Sequence, residues 1–171
     1  MRINMEATTN LVQQAKNGDV DAFSKLYSFV YEDLYRFAFY TLKNQEDACD
    51  TVSDTVLAAF SQIKKLRDPS LFKHWIFKIL SNQCKRKLKE YTKKTVELPD
   101  DLGSYEQDFT EGCQLRMAFT TLSSEERLIL SLHQFAGYNS KEIGSILHMP
   151  SATVRTKEHR ALKKLEQAMH E

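Results

Sequence analysis

The stretch Asn139-Ser-Lys-Glu-Ile-Gly-Ser-Ile-Leu-His148-Met-Pro-Ser151-Ala-Thr-Val-Arg-Thr-Lys-Glu-His-Arg160-Ala-Leu-Lys-Lys-Leu-Glu-Gln-Ala168 decides the fold. Asn139 and Glu142 have the spacing of a capping box, so a short helix opens at Ser140 and runs to Leu147. The turn His148-Met149-Pro150 follows, and Pro150 lacks the N–H that a continuing helix would need. A longer helix then runs from Ser151 to Ala168, giving helix-turn-helix proportions. On this helix Val154, Ala161, Leu162 and Leu165 point inward. Arg155, Thr156, His159, Arg160 and Lys163 form one outward face, with Lys157 and Lys164 at its flank. Arginine can fork onto guanine, a hydroxyl or imidazole can reach other base edges, and flanking lysines can meet phosphates. Taken alone, the pattern also suits a surface helix of an ordinary all-α domain.

Working outward, Ser123 and Glu126 form a second capping box, and Gly137 stands where a helix C-cap belongs. Helical patterns therefore cover Cys113 to Leu122 and Ser123 to Ala136. Upstream, residues 95–112 hold six acids, no Lys or Arg, and no sustained apolar period. They are expected to form an acidic flexible linker. The expected architecture is all-α: two small helical domains, 1–94 and 113–171, joined by that linker. The net charge of +1 hides this segmentation, because residues 1–94 carry 16 Lys/Arg against 11 Asp/Glu, and residues 113–171 carry 8 against 6. Basic lobes suit a polyanionic partner.

In the first domain Asp19 is a plausible N-cap for a helix carrying Phe23, Leu26, Tyr27 and Val30, and a further helix covers Leu34 to Leu42. From Gln45 to Ile63 the residues Ala48, Val52, Val56, Ala59, Phe60 and Ile63 make one apolar stripe, with Asp47, Asp50, Asp54 and Ser61 opposite. Such an acidic face suits a basic protein surface and repels DNA. After Arg67-Asp68-Pro69, Ser70 is expected to cap a helix with Phe72, Ile76, Ile79 and Leu80 inward. Its other side carries Lys78, Asn82, Lys85 and Lys89, with Trp75 and Arg86 at the margin and Lys87, Lys93 and Lys94 continuing the charge. Cations, an aromatic and an amide together suit single-stranded nucleic acid. The competing reading is a core tryptophan beside a solvated lysine face.

Other classes are disfavoured. No window approaches a membrane span or a signal-peptide core, so a cytoplasmic protein without membrane insertion is expected. Cys49, Cys84 and Cys113 lack metal-ligand or disulfide spacing, and no phosphate-binding glycine loop is present. Neither metal nor cofactor is expected, and no catalytic nucleophile, base and orienting group can be assembled.

The order of these elements resembles the extracytoplasmic-function (ECF, group IV) sigma factors of the sigma-70 family over about residues 10 to 168. The resemblance rests on Asp47-Ala48-Cys49-Asp50 through Asp54-Thr55-Val56, on Trp75-Ile76-Phe77-Lys78-Ile79-Leu80-Ser81-Asn82 running into Lys85-Arg86-Lys87, and on Lys141-Glu142-Ile143-Gly144 through Thr153-Val154-Arg155-Thr156 to Arg160-Ala161. It implies a sigma-2 domain over 1–94 and a sigma-4 domain over 113–171. Its implied partners are core RNA polymerase, through the β′ clamp helices and the β flap, and promoter DNA, with an anti-sigma factor as the usual inhibitor. Asp47, Asp50, Asp54, Leu57 and Ser61 would dock on the clamp. Trp75, Lys78, Asn82, Lys85, Arg86 and Lys89 would capture the single-stranded non-template −10 element. Arg155, Thr156, Lys157, His159, Arg160, Lys163 and Lys164 would serve the duplex −35 element. The chain departs from the family pattern at His148, where glycine is common, at Pro150, and at Glu158, which replaces a usual apolar residue. The rival readings are a conventional helix-turn-helix repressor or activator, which would need a self-complementary dimer face, and an all-α interaction adaptor.

Overall fold

The computed structural model describes residues 5–94 and 110–170, and its regular structure there is entirely helical. The first unit opens with α1 (Met5–Lys16), whose Val12 and Ala15 are buried. The sequence pattern does not mark this helix, because its apolar positions are sparse among Thr, Asn and Gln. Helix α2 (Val20–Ser28) is capped by Asp19, which accepts from the Ala22 N–H at 3.0 Å. Helix α3 (Tyr31–Leu42) ends at Lys43 in the left-handed conformation. Asn44 then caps α4 (Gln45–Gln62) through the Asp47 N–H at 2.8 Å. Two 3₁₀ turns, Ile63–Lys65 and Pro69–Leu71, lead into α5 (Phe72–Lys94). The cap at this joint is Asp68 rather than Ser70. Its carboxylate accepts from both the Ser70 N–H (2.9 Å) and the Ser70 hydroxyl (2.7 Å).

The second unit comprises α6 (Thr110–Thr120), α7 (Ser124–Gln134), α8 (Ser140–Leu147) and α9 (Ser151–His170). Helix α6 starts inside the segment expected as linker, and the rest of that segment, 95–109, lies outside the described residues. The Ser123–Glu126 capping box is closed in both directions, at 2.8 and 3.2 Å. Gly137, at φ +73°, lets the Tyr138 N–H return to the Leu132 carbonyl at 3.1 Å, which ends α7 in a Schellman-type turn.

The two units share a core. Leu34, Phe37, Ile76, Phe77 and Leu80 of the first are continuous with Leu128, Ile129, Leu132, Ile143 and Val154 of the second. A smaller cluster, Ala118, Phe119, Leu122, Leu130, Ala161 and Leu165, lies within the second unit and is closed by Tyr40 of the first. Tyr40 packs its ring against Phe119 and stacks on Phe135 at 4.7 and 5.7 Å.

Arg127 ties the units together at their junction. Only 2% exposed, it donates from Nε to the Thr41 carbonyl (3.0 Å), from Nη1 to the Leu122 carbonyl (2.7 Å) and from Nη2 to the Ser124 hydroxyl (3.2 Å). Two of its acceptors are backbone carbonyls, one in the last turn of α3 and one just beyond the end of α6, where helix dipoles favour a cation. Burial pushes its pKa down to about 10, which leaves it charged at neutral pH. The Thr41 and Ser131 hydroxyls are buried without hydrogen-bond partners.

Candidate nucleic-acid interface

The α8–turn–α9 segment is set by its own backbone. Asn139 Oδ1 accepts from the Lys141 and Glu142 N–H groups at 3.0 and 3.1 Å, and the Glu142 carboxylate accepts from the Asn139 N–H at 2.8 Å. His148 occupies the left-handed region at φ 57°, the conformation a glycine would supply at less cost. The chain then folds back so that the Met149 N–H reaches the Gly144 carbonyl at 2.9 Å. A Cβ on Gly144 would lie 2.6 Å from the Met149 carbonyl oxygen, so this position accepts only glycine without backbone movement. The departure at His148 is thus accommodated, and α9 leaves the turn with Pro150 accepting from the Val154 N–H at 3.1 Å.

On α9, Val154, Ala161 and Leu165 are buried, while Arg155, Thr156, His159, Arg160 and Lys163 are exposed on the other side. Leu162, expected inward, is 51% exposed and lines an interhelical groove with Tyr40, Phe119 and Phe135. The flanking lysines are drawn toward α7. Lys157 pairs with Glu125, and Lys164 Nζ donates to both oxygens of Glu126 at 2.8 and 3.0 Å. Burial favours the neutral form of Glu126, but Lys164 and the Ser123 groups outweigh it and hold its carboxyl below the usual range. Glu158 meets His133 Nδ1 at 3.1 Å with its side chain 15% exposed. An acid can therefore replace an apolar residue there because α7 supplies a polar partner.

On α5, Lys78, Asn82, Arg86 and Lys89 are exposed, and Trp75 is half-buried, with its ring tilted against Phe72 at 6.2 Å. Lys85 is placed differently from expectation. It is half-buried and donates to the Ile146 carbonyl at 3.0 Å, near the end of α8. Burial, then the neighbouring Lys89, lowers its pKa. Nearby, Tyr138 stacks on His74 at 4.8 Å and donates its hydroxyl to the His74 carbonyl. The second unit thus rests directly on the basic helix of the first.

On α4, Asp50, Asp54 and Ser61 are exposed, and Leu57 is 70% exposed among them. Asp47 does not belong to that face. Its Oδ1 lies 2.7 Å from Lys87 Nζ, and its Oδ2 accepts from the Tyr91 hydroxyl. Sequence reasoning missed Glu125, Glu126, Arg127, His133 and Tyr138 as partners. Only Glu126 carried a signal, through its capping box.

Two helical units on one chain, one ending in a helix-turn-helix and the other pairing an acidic helix with a basic one, have the arrangement expected of a DNA-binding protein that also docks on a second protein. Comparison with known proteins makes the assignment specific. The model of sigma-70 region 2 matches residues 26–94, and that of sigma-70 region 4 matches residues 118–167. RNA polymerase sigma factor SigV of Bacillus subtilis is 30% identical over 138 residues, covering 77% of this chain and 81% of that protein. ECF RNA polymerase sigma factor SigW of the same organism is 23% identical, covering 94% and 95%. Among solved structures, RpoE from Bartonella quintana, in complex with the anti-sigma factor NepR, superposes with a TM-score of 0.75 at 19% identity, over 88% of this chain and 98% of that one. CnrH in complex with the cytosolic domain of CnrY gives 0.68 at 23% identity, over 96% and 97%. The chain belongs to the extracytoplasmic-function group of the sigma-70 family. Members of this family are initiation factors rather than enzymes, and by family its partners are core RNA polymerase and promoter DNA. Among the described residues no helix is long and apolar enough to cross a membrane.

Proposed function

We propose that this alternative sigma factor divides its work among three helices. Asp50, Asp54, Leu57 and Ser61 of α4 dock on the polymerase clamp helices, and the second unit engages the β flap. Lys78, Asn82, Arg86 and Lys89 of α5, with Trp75 at the rim, take the displaced non-template strand of the −10 element. Arg155, Thr156, His159 and Arg160 of α9 read the −35 duplex in the major groove. The observation that carries this reading is the single exposed side of α9, which places Arg155, Thr156, His159 and Arg160 together opposite the buried Val154, Ala161 and Leu165. The protein works in the cytoplasm, where polymerase is. An anti-sigma factor holds it inactive, as supported by the NepR complex of the Bartonella relative.

The test is reconstitution. The purified chain should bind bacterial core RNA polymerase and initiate from a selected subset of random promoter templates. Asp50→Lys with Asp54→Lys should lower core affinity at least about tenfold, since reversed charges across an interface repel. The melting temperature should barely move, because exposed charges contribute little to stability. Equal core affinity for wild type and double variant would remove the α4 assignment.

A further inference from the structure

Asp47 lies in the first turn of α4, three residues after its Asn44 cap, while Lys87 and Tyr91 lie one turn apart on the C-terminal half of α5. Its two carboxylate oxygens are divided between them, Oδ1 to the Lys87 ammonium at 2.7 Å and Oδ2 to the Tyr91 hydroxyl. The node is sheltered, with the Asp47 side chain 20% and the Lys87 side chain 31% exposed. The Asp47 hydrogen bond raises the Lys87 pKa, and burial followed by the Asp47 bond and charge pushes the Tyr91 phenol well above its ordinary range. A carboxylate with both oxygens engaged inside its own unit is poorly placed to bind a second protein.

The position of the node matters because of what α5 carries. Arg86 and Lys89 are exposed on that same half-helix, and Asn82 is exposed just before it. Lys85 on this half-helix is tied instead to the second unit, through the Ile146 carbonyl. If the two units separate to span promoter elements, that tie is lost and the Asp47 node remains. Resting on the functional reading above, we propose that Asp47 is a positioning residue that couples the two helices of the first unit. It holds the C-terminal half of α5 against α4, so that Arg86 and Lys89 face the −10 strand while α4 is docked. Its neighbours Asp50 and Asp54 make the polymerase contact instead.

The experiment compares full-length wild type, Asp47→Asn, Lys87→Asp and the exchange Asp47→Lys with Lys87→Asp. Each is assayed for core-polymerase affinity and for strand opening at the −10 element, read by permanganate reactivity of its thymines. Asp47→Asn should leave core affinity within about twofold while lowering opening about tenfold, the effect of losing a partly sheltered charge-assisted pair. Lys87→Asp should match it, and the charge exchange should recover most of the opening. A role confined to stability would lower the melting temperature and core affinity together. Asp47→Asn losing core affinity as severely as Asp50→Lys with Asp54→Lys would make Asp47 a docking contact and overturn the proposal. So would unchanged opening, or an exchange that fails to recover it. A wild-type chain that does not bind core polymerase would refute the functional reading itself.

Discussion

Helices α5 and α9 are both long, lysine-rich and assigned to DNA, yet they hold their cations differently. On α9 the residues proposed to read base edges, Arg155, Thr156, His159 and Arg160, are exposed, and the cations that are tied, Lys157 and Lys164, go to a neighbouring helix of the same unit. On α5 the ties run in three directions: Lys73 to Asp33 of α3 at 3.0 Å, Lys87 to Asp47 of α4, and Lys85 across to the second unit. The α9 face is therefore preformed within its unit, as duplex readout by a rigid helix requires. On α5, by contrast, one cation of the basic side, Lys85, is held by the second unit through the Ile146 carbonyl. This difference suits a protein that reads a duplex with one unit and captures an opened strand with the other.

The largest expected effect breaks the comparison at its junction. Arg127→Ala leaves the Thr41 and Leu122 carbonyls without their buried donor and opens a cavity, so it should cost about 3 kcal/mol in a urea titration. A loss under about 1 kcal/mol would mean that the units do not depend on Arg127 to stay together.

Next in size is Arg160→Ala, which should cost about 1–3 kcal/mol on the preferred −35 duplex and flatten preference at one base position. Binding of the full chain to a duplex library measures it, and a uniform loss on every sequence would place Arg160 on the phosphates.

Lys164→Ala sharpens the contrast within α9. A free phosphate contact would take about one from the log–log salt slope. With its ammonium held by Glu126, Lys164 should instead leave the slope nearly unchanged and cost under about 1 kcal/mol of stability. A full unit of slope would show that DNA draws Lys164 away from Glu126.

The smallest effect concerns pH. Because Glu126 has a lowered pKa in the folded protein, its contribution is present above the unfolded carboxylate range and is lost as pH falls through the folded value. Acid unfolding of Glu126→Gln should therefore show a shallower loss of stability below about pH 4.5 than wild type. Identical acid limbs would remove Glu126 as a contributor.

Much of this architecture was legible in the sequence, for local reasons. Capping boxes at Ser123 and Asn139, the joints at Pro69 and Pro150, and the apolar stripe from Ala48 to Ile63 depend on residues within one turn of each other, and the structure keeps them. The exposed side of α9 was likewise readable from a helical wheel. Helix α1 was not, because it borrows its stability from the rest of the core through few apolar residues. Wheel reading also could not separate Asp47 from Asp50, or Lys164 from Lys163, because a wheel shows which side a residue occupies and not what lies opposite.

By itself the sequence determined the helices of the described residues after α1 and the order of the acidic, basic and helix-turn-helix segments on which the family resemblance rests. Those are consequences of periodicity, capping and charge, which act over a few residues. The tertiary structure alone decided which charges remain available: Asp47, Lys85, Lys157 and Lys164 are engaged by partners 32 to 61 positions away, while Asp50, Asp54, Arg155 and Arg160 stay exposed. Charge interactions depend on distance and burial in space, and those are fixed only when the helices have packed.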